Sequence, residues 1–267
     1  MPELVLKPIR TSGGIYAWYR SELQNAVEEM ARSMLYHVRA AWNAETPITG
    51  FGEDASPTAT LRRAMKKWGD VWVAKFDAMA EKVASEFAAR SGKDFDDRFR
   101  ALLREAGFTV KWKPTERMME AYRLVIAENV NLIRSIPQKF LTDVQSAVWT
   151  HAMETPDMDA LARKIRDNYS VSWRRASLIA RDQTHKARAV FEEARRAEVG
   201  ITEAIWVHGQ AGKEPRPEHL KWGREHKRYD IQRGLWSDVD QKWVWPGTAI
   251  NCRCTSRAII PSALSQE

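Results

Sequence analysis

The sequence predicts a mainly α chain with a small C-terminal α+β module: long N-terminal helical hairpins, then a helix packed on a short antiparallel sheet. Three observations predict it. Apolar residues recur every three or four positions through the first two-thirds of the chain, the period of a helix with one buried face. The stretch Ser172–Val199 repeats that period with a plausible start and stop. Beyond Gly200 the period falls to two, and turn-forming glycines and prolines crowd in. A length of 267 residues suits one large domain or two ordinary ones. The change of texture divides the chain into a helical docking region, 1–155, and a C-terminal module, 156–267.

Taken in order, the first helix spans Ile15–Trp42, with a stripe of Tyr19, Leu23, Val27, Met30, Met34, Val38 and Trp42. Pro47, Gly50, Gly52 and Pro57 break the chain. A second helix runs from Thr58 to Arg90 through Leu61, Met65, Trp68, Trp72, Phe76, Met79, Val83 and Phe87, with Gly92 as its stop. These stripes suit an intramolecular core, or docking onto another subunit. Asp94–Glu105 forms a shorter helix ended by Gly107, and Phe108–Pro114 is extended or loop. Thr115–Arg134 is helical again, Pro137 opens a further helix carrying Phe140, Leu141, Val144 and Val148, and a short helix follows the Thr155-Pro156-Asp157 break. The Ser172 helix takes Ser172 as N-cap and Gly200 as its end, and buries Ala176, Ile179, Gln183, Ala187, Val190 and Ala194. A buried amide such as Gln183 needs partners in whatever packs there. After it come a strand containing AIWVH, a polar loop, a helical turn near His219, and strands around Tyr229, Trp243 and Cys252–Ile260.

Bulk properties narrow the function classes. The net charge is +7, and the pI near 9.4 favours anionic partners such as nucleic acid. No stretch approaches the roughly 20 apolar residues of a membrane helix, so no membrane partner is expected. The N-terminus MPELVLKPIRTSGG lacks a signal-peptide pattern, which predicts a chain that stays in the cytoplasm with its thiols reduced. Twelve tryptophans are many, and suit core or interface anchors.

The two cysteines, Cys252 and Cys254, are separated only by Arg253. On a strand they share one face, roughly 7 Å apart. Two thiolates could form half of a tetrahedral zinc site, with His208 and His219 completing a Cys2His2 set. Alternatively, they are small residues buried on a β face, with the histidines on a solvated loop. No zinc-protease motif, nucleophile elbow or phosphate-binding loop occurs, so no enzyme is expected. His219, His226, Asp230 and Asn251 could serve a metal-dependent nuclease, but they form no motif. The basic residues Lys213, Arg216, Lys221, Arg224, Lys227 and Arg228 crowd one region, interleaved with Trp222 and Tyr229. Such a patch can grip phosphate without reading sequence, or form a protein interface.

Several segments together resemble a known family. LIARDQTHKA is followed by G-I-x-x-x-I-W (from Gly200), then R-P-x-H (Arg216–His219), then W-P-G-x-x-I-N-C-R-C (Trp245–Cys254). Their order and spacing resemble the phage Mu F-like head morphogenesis family, over about Asp157 to Pro261. Members usually carry I-A-R-T-E where this chain has Ile179-Ala180-Arg181-Asp182-Gln183, and some carry C-x-x-C in place of Arg216–His219. That exchange of cysteine for histidine supports a metal reading. The resemblance marks Arg181, Gln183, Pro246, Gly247 and Asn251 as structural motif positions. It implies a minor head protein of a tailed bacteriophage, made in the host bacterial cytoplasm and placed in the virion head in few copies near the portal. There it would assist head assembly, DNA packaging or DNA exit, with the portal and the major capsid or scaffold protein as partners. The rival is a basic DNA-binding protein, or a metal-dependent nuclease, acting on the phage genome.

Overall fold

Most residues of the predicted stripes are buried, while Trp42, Trp68, Met79, Tyr122, Ile126, Leu141 and Val190 are half-buried. A computed structural model of the chain describes residues 3–44, 57–154, 158–210 and 214–261. Its first helix, α1 (Gly13–Asn43), buries Tyr19, Leu23, Val27, Met30, Met34 and Val38. In α2 (Pro57–Glu105), Leu61, Met65, Trp72, Phe76, Val83 and Phe87 are likewise buried. The chain is mainly α, with a small antiparallel sheet built chiefly from its C-terminal strands.

Several expected breaks are not breaks. Gly92 lies inside α2, where a Cβ would stand 2.1 Å from the Tyr122 hydroxyl. The helix carries on because burying Phe87, Phe95 and Phe99 outweighs the roughly 1 kcal/mol that an interior glycine costs. Pro137 does not open a helix but sits within α3 (Glu116–Glu154). Buried Ile133, Ile136, Phe140 and Val144 flank it. Ser172 is buried within α4 (Met158–Glu198) rather than capping it. Other ends fall where expected. Gly107 (φ 91°) and Gly200 (φ 73°) both take the left-handed position after a helix. At Gly200, its own N–H bonds the Ala197 carbonyl and the Ile201 N–H bonds that of Arg196. Pro47, Gly50, Gly52 and the Thr155-Pro156-Asp157 break lie outside the described residues.

Two compact units emerge, and neither is a continuous stretch. One comprises residues 1–18, 84–127 and 180–267; the other comprises 19–83 and 128–179. The sequence boundary near residue 155 coincides with neither edge. Each of the four long helices supplies residues to both units.

The unit holding the C-terminal module carries a sheet in the order β1-β6-β2-β3, every pair antiparallel. Its strands are β1 (Leu4–Val5), β2 (Glu203–Val207), β3 (Arg228–Asp230) and β6 (Thr255–Ile260). β1 escapes sequence reading because two residues show no period. Alternation along β2 and β6 pairs Ala204 with Ala258 and Trp206 with Ser256, and all four are fully buried. A short helix, α5 (Pro217–Arg224), follows β2, and β4 (Leu235–Ser237) pairs with β5 (Lys242–Val244) in a hairpin. Ala204, Trp206, Trp222, Tyr229, Ile231, Val244, Cys252 and Cys254 form one apolar core.

Candidate metal centre

The two cysteines precede β6 rather than lie in it, yet the buried-exposed alternation of the strand extends back through them. Both therefore point into the module's core, 5% and 3% exposed. Asn251 makes this entry possible. Its φ of 60° is left-handed, a conformation asparagine tolerates better than most residues. Its N–H donates to Asp182 Oδ1 at 3.1 Å, and its side-chain oxygen accepts from Arg181. Burial raises the Asp182 carboxyl above its usual range, and the Asn251 N–H opposes that shift.

The third member comes from α5. Each residue of the Arg216–His219 segment has a separate task. Arg216 Nη1 donates to the Ile250 carbonyl at 3.0 Å. Pro217 stands at the first turn of the helix, where a missing N–H costs nothing. Glu218 accepts from Ser237 Oγ (2.6 Å) and the Asp238 N–H (2.9 Å), tying α5 to the β4–β5 hairpin. His219, 3% exposed, places Nδ1 3.5 Å from Cys252 Sγ and 3.9 Å from Cys254 Sγ.

His219, Cys252 and Cys254 are the group of His, Cys, Asp or Glu side chains, among the described residues, whose ligand atoms converge, all within 4.8 Å of one another. Burial is complete on all three, and Trp206 packs edge-on to the His219 ring at 4.9 Å. The hydrogen bond from the Cys254 thiol draws Cys252 below the ordinary thiol range against its burial, and His219 adds to the effect. The same bond, with burial, pushes Cys254 up. Two buried sulfurs beside an imidazole nitrogen are a donor set suited to a soft or borderline cation. His219 Nε2 is buried without a hydrogen-bond partner, which leaves Nδ1 as the nitrogen facing the sulfurs.

His208, expected as the fourth ligand, is not brought into this group. β2 ends at Val207, and Gly223 of α5 backs onto His208, so close that a Cβ on the glycine would stand 2.4 Å from His208 Cβ. His208 instead lines a neighbouring cavity. The nuclease set does not assemble as a group either. Asp230 caps its own turn by accepting from the N–H groups of Gln232 and Arg233, and Asn251 is bonded to α4.

Of the motif positions, Arg181 bonds Asn251, while Pro246 and Gly247 meet Arg188. Arg188 of α4, 4% exposed, donates from Nη2 to the carbonyls of Pro246 (2.8 Å) and Cys254 (3.1 Å). Gly247, with φ 95°, lets this arginine approach: a Cβ there would lie 2.7 Å from Arg188 Nη2. Gln183 is buried on the same helix. Sequence reading missed the ladder that Arg188 begins. Glu192 accepts from both Arg188 and Arg196, and Arg196 donates to Ser256 Oγ at 2.7 Å. Their i, i+4 spacing was visible, but charges at that spacing ordinarily cover a solvated helix face. His185, on the same helix, is pushed down to about 4 by burial and then by the Arg188 charge.

The basic contact residues divide. Arg216 is committed to Ile250, Arg228 is paired with Glu3, and Lys221 lies 4.0 Å from Glu225. Arg224 and Lys227 are exposed without an acidic partner among the described residues. Lys213 lies outside the described residues.

No family model matches the chain, and no solved structure matches it. A protein of Haemophilus influenzae, described as uncharacterized, is 25% identical over 259 residues. The match covers 95% of this chain but 55% of that protein, so the chain spans about half the length of its relative.

Proposed function

We propose that the chain is a minor head protein of a tailed bacteriophage, present in few copies near the portal, whose C-terminal module is stapled by a metal ion. One observation carries this reading. Residues of the segments that resemble the Mu F-like family meet in the structure: Arg181 bonds Asn251, Arg216 bonds Ile250, and His219 faces both thiols, while Arg188, just past the first segment, holds Pro246 and Cys254. Zinc suits the two thiols and the imidazole, and would supply structural cross-linking rather than catalysis. The partners are the portal and the major capsid or scaffold protein. Trp72 and most of the apolar stripes are spent in the helical core. Docking therefore falls to exposed apolar residues such as Tyr36, Val171 and Trp173.

The rival, a basic DNA-binding protein or nuclease, is supported by Arg224 and Lys227, which have no acidic partner among the described residues. Deleting the coding sequence from the phage tests the proposal. A minor head protein predicts particles that fail to mature into DNA-filled, infective heads. An unchanged yield of infective particles would overturn the proposal. For the rival, DNA affinity of the purified chain should fall about tenfold between 50 and 200 mM salt if Arg224 and Lys227 alone meet phosphates, and more steeply with further contacts.

A further inference from the structure

A cavity of about 500 Å³ adjoins the metal centre, with Trp206 common to both. Its walls include His208, Leu220, Arg224, His226 and Arg257, and among the described residues no acidic one lines it. Four side chains that carry or can carry positive charge thus meet at one concave site. Arg257 is steadied from behind, its Nε donating to the Leu6 carbonyl at 3.4 Å. Arg224 is exposed and has no acidic partner among the described residues.

His226 carries the argument further. It ends α5 with φ 48°, its N–H directed to the Gly223 carbonyl while the Lys227 N–H bonds that of Trp222. This is the left-handed position that helices usually give to glycine, because a Cβ is strained there. A glycine would close the helix more cheaply. The chain instead holds an imidazole at that point, on the wall of a cationic cavity, and strain of this kind gathers at functional positions.

We propose that this cavity is an anion site that takes a phosphate group. Arg224 and Arg257 supply the charge and forked donors suited to phosphate oxygens, and His208 and His226 supply ring N–H donors. The phosphate can belong to a nucleic-acid strand or to a small phosphorylated molecule. The site would act in this way whether or not the chain enters a virion head.

Calorimetric titration of the full-length chain at fixed ionic strength tests the proposal, using inorganic phosphate and a ten-nucleotide DNA strand as separate probes. Wild type should bind phosphate, and Arg224→Ala should weaken it by about tenfold or more, the loss of a charge-assisted hydrogen bond. Arg257→Gln should act in the same direction. Lys221→Ala, on the same helix but outside the cavity, should change affinity less than about twofold. Each variant should keep the wild-type melting temperature to within a few degrees. Competition between strand and phosphate would assign the site to a phosphodiester. Phosphate binding without strand binding would assign it to a small ligand. Failure of wild type to bind either probe overturns the site. So does an equal loss in Lys221→Ala, which would mean a diffuse basic surface.

Discussion

Replacing both thiols, Cys252→Ser with Cys254→Ser, is expected to abolish metal binding and lower the melting temperature of the zinc-loaded protein by on the order of 10 °C. The magnitude follows from linkage. A metal held a thousandfold above its dissociation constant adds about 4 kcal/mol, and in a protein of this size 1 kcal/mol moves the melting temperature by about 2–4 °C. Serine keeps the size of the side chain but is a poor zinc ligand. His219 would then face two hydroxyls in the core formed by Trp206 and Trp222. A chelator should lower the wild-type transition toward that of the variant and leave the variant unmoved. Equal melting of variant and wild type in zinc would show that the thiols are only small buried groups.

The second large effect is expected from Glu192→Ala. Glu192 is 4% exposed and lies between two guanidinium groups, those of Arg188 and Arg196, themselves 4% and 2% exposed. Removing the acid strands two buried charges. Breaking a buried pair in this way costs about 3–5 kcal/mol, because the remaining charge has neither solvent nor a counter-charge. The damage should not stay local. Arg188 also holds the Pro246 and Cys254 carbonyls, and Arg196 holds Ser256 on β6. Chemical unfolding of the variant would show the loss. A change below about 1 kcal/mol would mean that water reaches the arginines, and that the ladder does not hold α4 to the sheet.

These two clusters mark how far the sequence could be read. The stripe from Tyr19 to Val38 and the alternation from Cys252 to Ala258 were legible because each repeats a geometric period. The joints between helices were not. Gly92, Pro137 and Ser172 are local punctuation, and tertiary burial around them overrides it. His219 and the two thiols could be named as ligand types, since sulfur and imidazole in a small module suggest a metal. That His208 lies outside the converging group is a matter of tertiary placement, which no spacing reveals. The Arg188–Glu192–Arg196 ladder looks like an ordinary solvated face until the elements that bury it are known. Charge alone likewise marked Arg216 and Arg228 as contact residues, although they are occupied within the chain by Ile250 and Glu3.

The most direct test of the proposed role is to count the chain in particles. DNA-free procapsids and mature heads would be purified from an infection, and the chain quantified in each by mass spectrometry against the portal protein. A minor head protein predicts a few copies per particle in both. Absence from both would contradict the head assignment and direct attention to DNA binding.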